Sequence, residues 1–394
     1  MRYKAPKIVI LIENSRAWGR GLIRGIAKYS RLNGPWDFLR TSAFFIAESK
    51  KTLLAEIKHF NPDGIIMREV PDTQKIIGLG KPVVISPHIH KRFSGALNIV
   101  EDFPTTGQMA AEHLLGEGLR NFAFCGFDNM FWSRERCAAF CDRISRSGFS
   151  VSVYTQPKKK KDRIWEKEKF TLKDWIVSLP KPIGLMCCID ERSQQVAEIC
   201  KLEGIKVPEE IAILGVDNDD FICELTLPPL SSVAFGAEDV GYQAAKLLDD
   251  LINGRISPND KDLITSPTYV VQRQSTDLIA TGDSDVAESI SYIRENICKH
   301  ISVEDVLHKV AVPRRTLERR FHIVLGNTIY KTIQNERVKR IERFLIETNM
   351  TVEEIAYAIG FSDPNELTRS FSRIRKISPI FFRKKYKNEF IAPR

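Results

Sequence analysis

The chain has 394 residues, 43% hydrophobic and 28% charged, which is too long for one ordinary domain and apolar enough for more than one core. Its charge of +9 is unevenly placed: residues 285–394 hold 21 Lys/Arg against 14 Asp/Glu, and the first 284 hold 38 against 36. No run reaches the ~18 apolar residues of a transmembrane helix, the first residues lack the pattern of a secretion signal, and the eight cysteines form no C-x-x-C pair, so we expect a cytoplasmic protein with buried, reduced thiols, no zinc and no membrane partner.

The chain opens with "KIVILI" (7–12), which reads as a strand, and continues into a helix over 17–30. "WDFLR" reads as the next strand, followed by a helix over 50–60 and by the strands "DGIIM", "PVVIS" and "LNIVED" (97–102). A helix over 104–116, the strand "NFAFCGF" (121–127), a helix over 134–147 and the strands "VSVYT", "IGLMCCID" and "IAILGVD" continue the series. The strand runs are continuously apolar, the pattern of parallel strands covered on both faces, and their alternation with helices predicts a doubly wound α/β architecture. "KKKKDR" (158–163) reads as an exposed loop. The Ser/Thr/Gly/Asp-rich stretch 275–285 reads as a linker between a domain over 1–274 and one over 286–394 that is helical throughout.

The basic tail contains a repeat. "VEDVLHKVAVPRRTLERRFHIVLGNT" begins at Val303, and "VEEIAYAIGFSDPNELTRSFSRIRKIS" begins at Val352. Each copy opens with Val-Glu-acid-aliphatic, turns about eight residues on, and then places apolar residues at i, i+4 and i+7: Leu317, Phe321 and Val324, then Leu367, Phe371 and Ile374. That spacing makes one buried stripe on a helix. The outer face carries Arg314, Arg315, Thr316 and Arg319 in the first copy, and Asn365, Thr368, Arg369 and Arg373 in the second. In the second turn Gly360 accepts a left-handed backbone, Asp363 can cap the next helix, Pro364 suits its first position, and Glu366 would complete a capping box. This is helix-turn-helix logic, with arginine and asparagine placed to read guanine and adenine edges in a major groove. With its "IAYAIGFSD…F…SP" signature, this region resembles the AraC-type DNA-binding domain, two helix-turn-helix units joined by a long helix, here over 330–347. Ala311 stands where that family has a turn glycine, and Pro313 where a serine cap is common. The resemblance implies double-stranded operator DNA as a partner, RNA polymerase if the protein activates, and a homodimer.

The α/β part carries no Walker loop, HExxH or GxSxG. Six residues separate the first strand from Gly19, and Gly19, Gly21 and Gly25 follow the GxGxxxG spacing, wrong for a dinucleotide loop. His88 and His90 show no third ligand nearby and read as exposed loop residues. Polar residues instead gather after the strands, where open α/β sheets bind ligands: Asn14 and Arg20, Glu101 and Asp102, Trp132 and Arg136 in "FWSRER", Asp190, and Asp217 with Asn218 in "GVDND". Acids, amides, arginine and a tryptophan suit a sugar. "LGEGLRNFAFCGF" and "SSVAFGAEDVGYQAAKLL" resemble the sensor of LacI-type repressors, a two-lobed periplasmic-binding-protein type I fold. That resemblance implies a monosaccharide effector, D-xylose or a similar sugar, bound between lobes joined by crossing strands. No cofactor, metal site or catalytic set is implied. The reading is therefore an allosteric, sugar-responsive transcription regulator; the alternatives are an α/β enzyme using Asp190 or Asp217 as a base and a sugar-binding transport component.

Overall fold

The computed structural model describes residues 5–40, 50–258, 262–277, 283–299 and 301–386. Strands β1 (Lys7–Leu11), β2 (Asp37–Arg40), β3 (Gly64–Arg68), β4 (Val83–Ser86), β5 (Leu97–Glu101) and the late β11 (Leu263–Thr265) form one sheet in the order β11-β5-β4-β3-β1-β2, every neighbouring pair parallel. Strands β6 (Phe122–Cys125), β7 (Val151–Val153), β8 (Ile183–Cys187), β9 (Ile211–Val216), β10 (Ser231–Phe235) and β12 (Pro267–Val271) form the second, in the order β12-β10-β9-β8-β6-β7, antiparallel at β10–β12 alone.

The unbroken apolar runs follow from burial on both faces. In the first lobe Ile8 and Ile10 pack under α1 (Ala17–Asn33) and α9 (Ala237–Ile252), while Val9 and Leu11 pack under α2 (Lys50–Phe60) and α3 (Thr73–Ile77). In the second lobe Phe122 and Phe124 face α4 (Phe103–Gly116) and α5 (Phe131–Arg146). Ala123 and Cys125 share their cluster with α6 (Trp165–Ser178) and α7 (Asp190–Leu202), and α8 (Asp220–Leu225) closes that side. The glycines of α1 serve packing: a Cβ on Gly25 would stand 1.9 Å from the Glu238 carbonyl oxygen of α9, and one on Gly241 2.2 Å from that of Leu22. Buried thiols fill both faces of the second sheet as expected, but Cys137 and Cys141 are half-buried and Cys298 is exposed.

The chain crosses between the lobes three times. It leaves β5 into α4, returns from β10 into α9, and crosses again from β11 to β12 through Ser266. The stretch read as the start of a linker belongs to the second lobe. Ser275 and Thr276 are fully buried, and the Ser275 hydroxyl donates to the Ile213 carbonyl (2.6 Å) and accepts from the Ser231 amide (2.8 Å). Residues 278–282 of that expected linker lie outside the described residues.

Seven helices follow among the described residues: α10 (Ser284–Asn296), α11 (Val303–Val310), α12 (Arg314–Leu325), α13 (Ile329–Glu347), α14 (Val352–Ala358), α15 (Pro364–Arg375) and α16 (Pro379–Tyr386). They enclose two cores of their own, one around Leu317 and Phe321 and one around Leu367 and Phe371, with α13 contributing to both. Ser302 with Asp305 and Thr351 with Glu354 form capping boxes at the first helix of each unit. Asp363 caps α15 at the Asn365 amide (2.9 Å), but the box expected around Glu366 does not form: its side chain returns no bond to the Asp363 amide. Gly360 has φ +80° as its turn requires; at the matching turn of the first unit Ala311 adopts φ +52° without glycine's freedom. Ala311→Gly should therefore raise the unfolding free energy of residues 283–394 by up to about 1 kcal/mol, since relief of left-handed strain outweighs the added chain entropy. Urea unfolding of the fragment, which has its own cores, measures this; a loss of stability would mean that the turn holds no strain.

Candidate functional site

The carboxyl ends of both sheets face a common cleft, the position where such sheets bind ligands. Within it lies a cavity of about 100 Å³. The first lobe supplies Arg16, Trp18, Arg68, Ser86, His88, Lys91 and Glu101; the second supplies Phe131, Trp132, Arg136, Ile189 and Asp217; the crossings supply Phe103, Phe235 and Thr265.

Arg136 organises the floor. Its side chain rises from α5 and is 6% exposed. Nε and one terminal nitrogen donate to the two oxygens of Glu101 (2.9 and 2.7 Å), that terminal nitrogen also to Asp217 Oδ1 (3.2 Å), and the other to the Cys188 carbonyl. Burial opposes the charge, but Glu101 and Asp217 outweigh it and hold the guanidinium above its ordinary value. Because Glu101 ends β5 in the first lobe, this ion pair joins the lobes.

The wall is set by a loop that carboxylates shape. Glu69 accepts the backbone amides of His88, Ile89 and His90 (2.7, 2.6 and 3.0 Å) and also bonds the His90 ring; burial works against its charge, and these donors outweigh it and lower its carboxyl. His88 is consequently turned into the cleft rather than exposed, and an acidic partner missed in the sequence holds both histidines. Arg68 donates to His88 Nδ1 (2.9 Å) and to Glu13 (2.6 Å). Burial, then Arg68 and Arg16, pull the His88 ring down to about 4, so at neutral pH it is uncharged and Nε2 carries its proton. His88 stacks on Trp132 at 5.9 Å and 21°. Two polar atoms in this lining are buried without a partner among the described residues, Trp132 Nε1 and Thr265 Oγ1.

Of the nine residues anticipated for the ligand, the structure brings Glu101, Trp132, Arg136 and Asp217 to the cavity. The other five take structural positions. Asn14 is exposed and contributes only its carbonyl to Arg20. Arg20 is held by Asp219 (3.0 Å) and stacks on Phe221. Asp102 caps α4 through the Thr105 amide and accepts from Ser266. Asn218 accepts from Arg273 (2.9 Å). Asp190 is sealed beneath β9: it accepts from the Ser232 hydroxyl (2.6 Å) and the Asp219 amide (2.7 Å), and a Cβ on Gly215 would sit 2.1 Å from it. Sequence reasoning missed Arg16, Arg68, His88 and the crossing residues Phe103, Phe235 and Thr265. Arg68 alone left a usable signal, a charge at the end of an apolar strand.

The lobes meet through further bonds beside the cavity. Arg16 pairs with Glu191 (2.7 Å), Lys91 with Glu135, and the Ala17 amide at the start of α1 donates to Asp219 (2.6 Å).

In the tail, Leu317, Phe321, Leu367 and Phe371 are fully buried, and the residues expected on the outer faces are placed there. Arg314, Arg315, Arg319, Asn365, Arg369 and Arg373 are exposed; Thr316 and Thr368 are half-buried, with the Thr368 hydroxyl donating to its own helix at Pro364. Arg314 reaches Glu304 (2.7 Å) and Arg369 reaches Asp363 (3.7 Å), both in solvent, where such pairs are weak. Arg315, Arg319 and Arg373 have no ion-pair partner among the described residues.

Asp190 is a discriminating position because it resembles Asp217 in sequence and differs in surroundings. Asp190→Ala should cost about 1–3 kcal/mol of unfolding free energy by leaving the Ser232 hydroxyl and Asp219 amide buried and unpaired. Urea denaturation tests this, and unchanged stability would place Asp190 outside the scaffold.

Residues 111–276 match the family described as periplasmic binding protein-like domain, and residues 306–385 match the helix-turn-helix domain family. The xylose operon regulatory protein of Escherichia coli (strain K12) is 28% identical over 396 residues, spanning 96% of this chain and 97% of its own. Its counterpart in Haemophilus influenzae is also 28% identical, over 96% and 98%. A solved structure of a xylose-binding transcription activator is 27% identical and superposes with a TM-score of 0.62 over 98% of this chain and all of that one. A periplasmic binding protein/LacI transcriptional regulator from Alkaliphilus metalliredigens complexed with D-xylulofuranose, 22% identical with a TM-score of 0.56, shares its fold over 69% of this chain and 99% of its own. The chain thus carries a periplasmic-binding-protein-like domain ahead of an AraC-type helix-turn-helix domain, and is similar over nearly its whole length to xylose operon regulatory proteins.

Proposed function

We propose that the chain controls genes of xylose or related pentose catabolism, binding D-xylose in the interlobe cavity and operator DNA through α12 and α15. The observation that carries the sugar reading is the lining itself. Each cation there, Arg16, Arg68, Lys91 and Arg136, already has a carboxylate, which disfavours a phosphorylated or acidic ligand. What remains free among the described residues is one N–H donor, Trp132 Nε1, one hydroxyl, Thr265 Oγ1, and one carboxylate oxygen, Asp217 Oδ2. Ring hydroxyls complete such a set, and a neutral His88 Nε2–H adds a donor. The volume, about 100 Å³ where a cavity of roughly 150 Å³ takes benzene, leaves no room for more than one small ring. Sugar bonds to both lobes favour the closed cleft. The protein acts in the cytoplasm as a homodimer, and contacts RNA polymerase where it activates.

Calorimetry with D-xylose tests the pocket. Asp217→Ala should weaken binding about tenfold or more, and Thr265→Val several-fold, because each leaves a sugar hydroxyl buried without its partner. Equal affinity in both variants would move the pocket elsewhere; wild-type binding of D-glucose 6-phosphate above D-xylose would replace the ligand class.

The reader is tested by alanine at Arg319 and Arg369, which stand at equivalent places two residues after Leu317 and Leu367. A guanine contact costs about 1–3 kcal/mol on the cognate duplex and relaxes one base position, whereas a phosphate contact weakens all duplexes alike and lowers the salt slope by about one unit. If neither variant changes affinity for any duplex, the outer faces of α12 and α15 are not the reading surface.

A further inference from the structure

Helix α4 has one end in the cavity and the other against the reader. Phe103, its first residue, lines the cavity, and the preceding Glu101 holds Arg136. Fourteen residues later, about 21 Å along the axis, comes Glu117. Its carboxylate is 5% exposed, accepts from Gln272 Nε2 (3.0 Å), and faces two cations of the tail: Lys339 of α13 at 3.5 Å and Arg294 of α10 at 3.7 Å. Arg294 also binds Asp277 (2.8 Å) and Glu336 (3.1 Å), and Lys339 binds Glu336 (3.2 Å). One turn back, His113 bonds Thr276 (2.8 Å), whose hydroxyl donates to Ser231. The helix is a stiff member. Gly107 brings it so close to α5 that a Cβ there would stand 2.4 Å from that of Ala139, and α5 carries Trp132 and Arg136.

We infer that Glu117 is a positioning residue for sugar control of DNA binding: its buried carboxylate clamps α10 and α13 to the end of α4, so the reader moves with the second lobe when sugar draws the lobes together. Two cations from the tail meeting one buried sensor carboxylate make a directional joint, because leaving any member unpaired in that dry place is unfavourable. Lys339 lies on the helix that joins both reading units, so orientation set there is passed to both. Sugar and DNA affinities then change each other through a physical linkage.

The inference rests on xylose as the controlling ligand, and the experiment separates the two. Glu117→Gln keeps the shape and an oxygen for Gln272 but removes the charge; Lys339→Met removes the opposite charge from the other side. For the full-length wild type and both variants, D-xylose affinity is measured by calorimetry, and operator Kd with and without saturating D-xylose on a duplex selected by the wild type from a random pool. Hydrogen–deuterium exchange over 283–299 and 329–347 is followed without sugar. Both variants should bind xylose within twofold of wild type, show faster exchange in those helices, and lose most of the xylose-dependent change in Kd, bringing the ratio to within twofold of one. A ratio unchanged in both variants overturns the inference, whatever the exchange shows. If the wild-type ratio is itself one, the reading of xylose as controlling ligand fails, and exchange decides the joint alone: unchanged exchange in both variants overturns it.

Discussion

A guanidinium sealed from water must be neutralised where it lies, and Arg136 is neutralised by a residue of the opposite lobe. That requirement constrains the rest of the sensor. The end of β5 must deliver Glu101 to one side of the charge, and the end of β9 must deliver Asp217 to the other. The first turns of α5 must enter the cleft while their neighbours build a wall. Water must be kept out, and Trp132, Phe235 and the His88 loop do so. The cavity is therefore a by-product of covering one charge from all sides, with a gap the size of one small ring left beside it.

The interlobe bonds around this centre are of graded exposure. Arg136–Glu101 is dry, Arg16–Glu191 is about one-third exposed, and Lys91–Glu135 stands at the rim. Solvent screening weakens the outer pairs first, so the lobes have a strong central bond and a soft edge. A sensor needs that combination: a preferred closed geometry that a ligand can reinforce, and an opening path that does not require breaking everything at once.

The alternation of strands and helices was legible because parallel strands buried on both faces cannot hide their composition, and the tail was legible because its pattern occurs twice. The crossings were not. β11 has three residues, β12 has five, and they belong to different sheets, so no local periodicity announces them, and Thr265 and Phe235 reach the cavity only through that topology. Among acids after strands, sequence position did not separate function from scaffold. Asp190 and Asp217 both follow apolar runs, yet one points under β9 against Ser232 and the other into the cleft. His88 looked like a surface residue because the carboxylate that turns it inward, Glu69, acts through backbone amides, which carry no trace in residue identity.

Asp217 reaches the cleft from a backbone with φ +98°, and Asn218 follows at +49°. An aspartate held there is strained, and a glycine would not be. The two codons differ by a single nucleotide, so the relieving change is always within easy mutational reach. A glycine there would relieve the backbone but leave the buried Arg136 guanidinium to Glu101 alone. Position 217 is therefore where relief of the backbone and neutrality of a buried charge pull in opposite directions, and the carboxylate persists there because its bond to Arg136 opposes the strain.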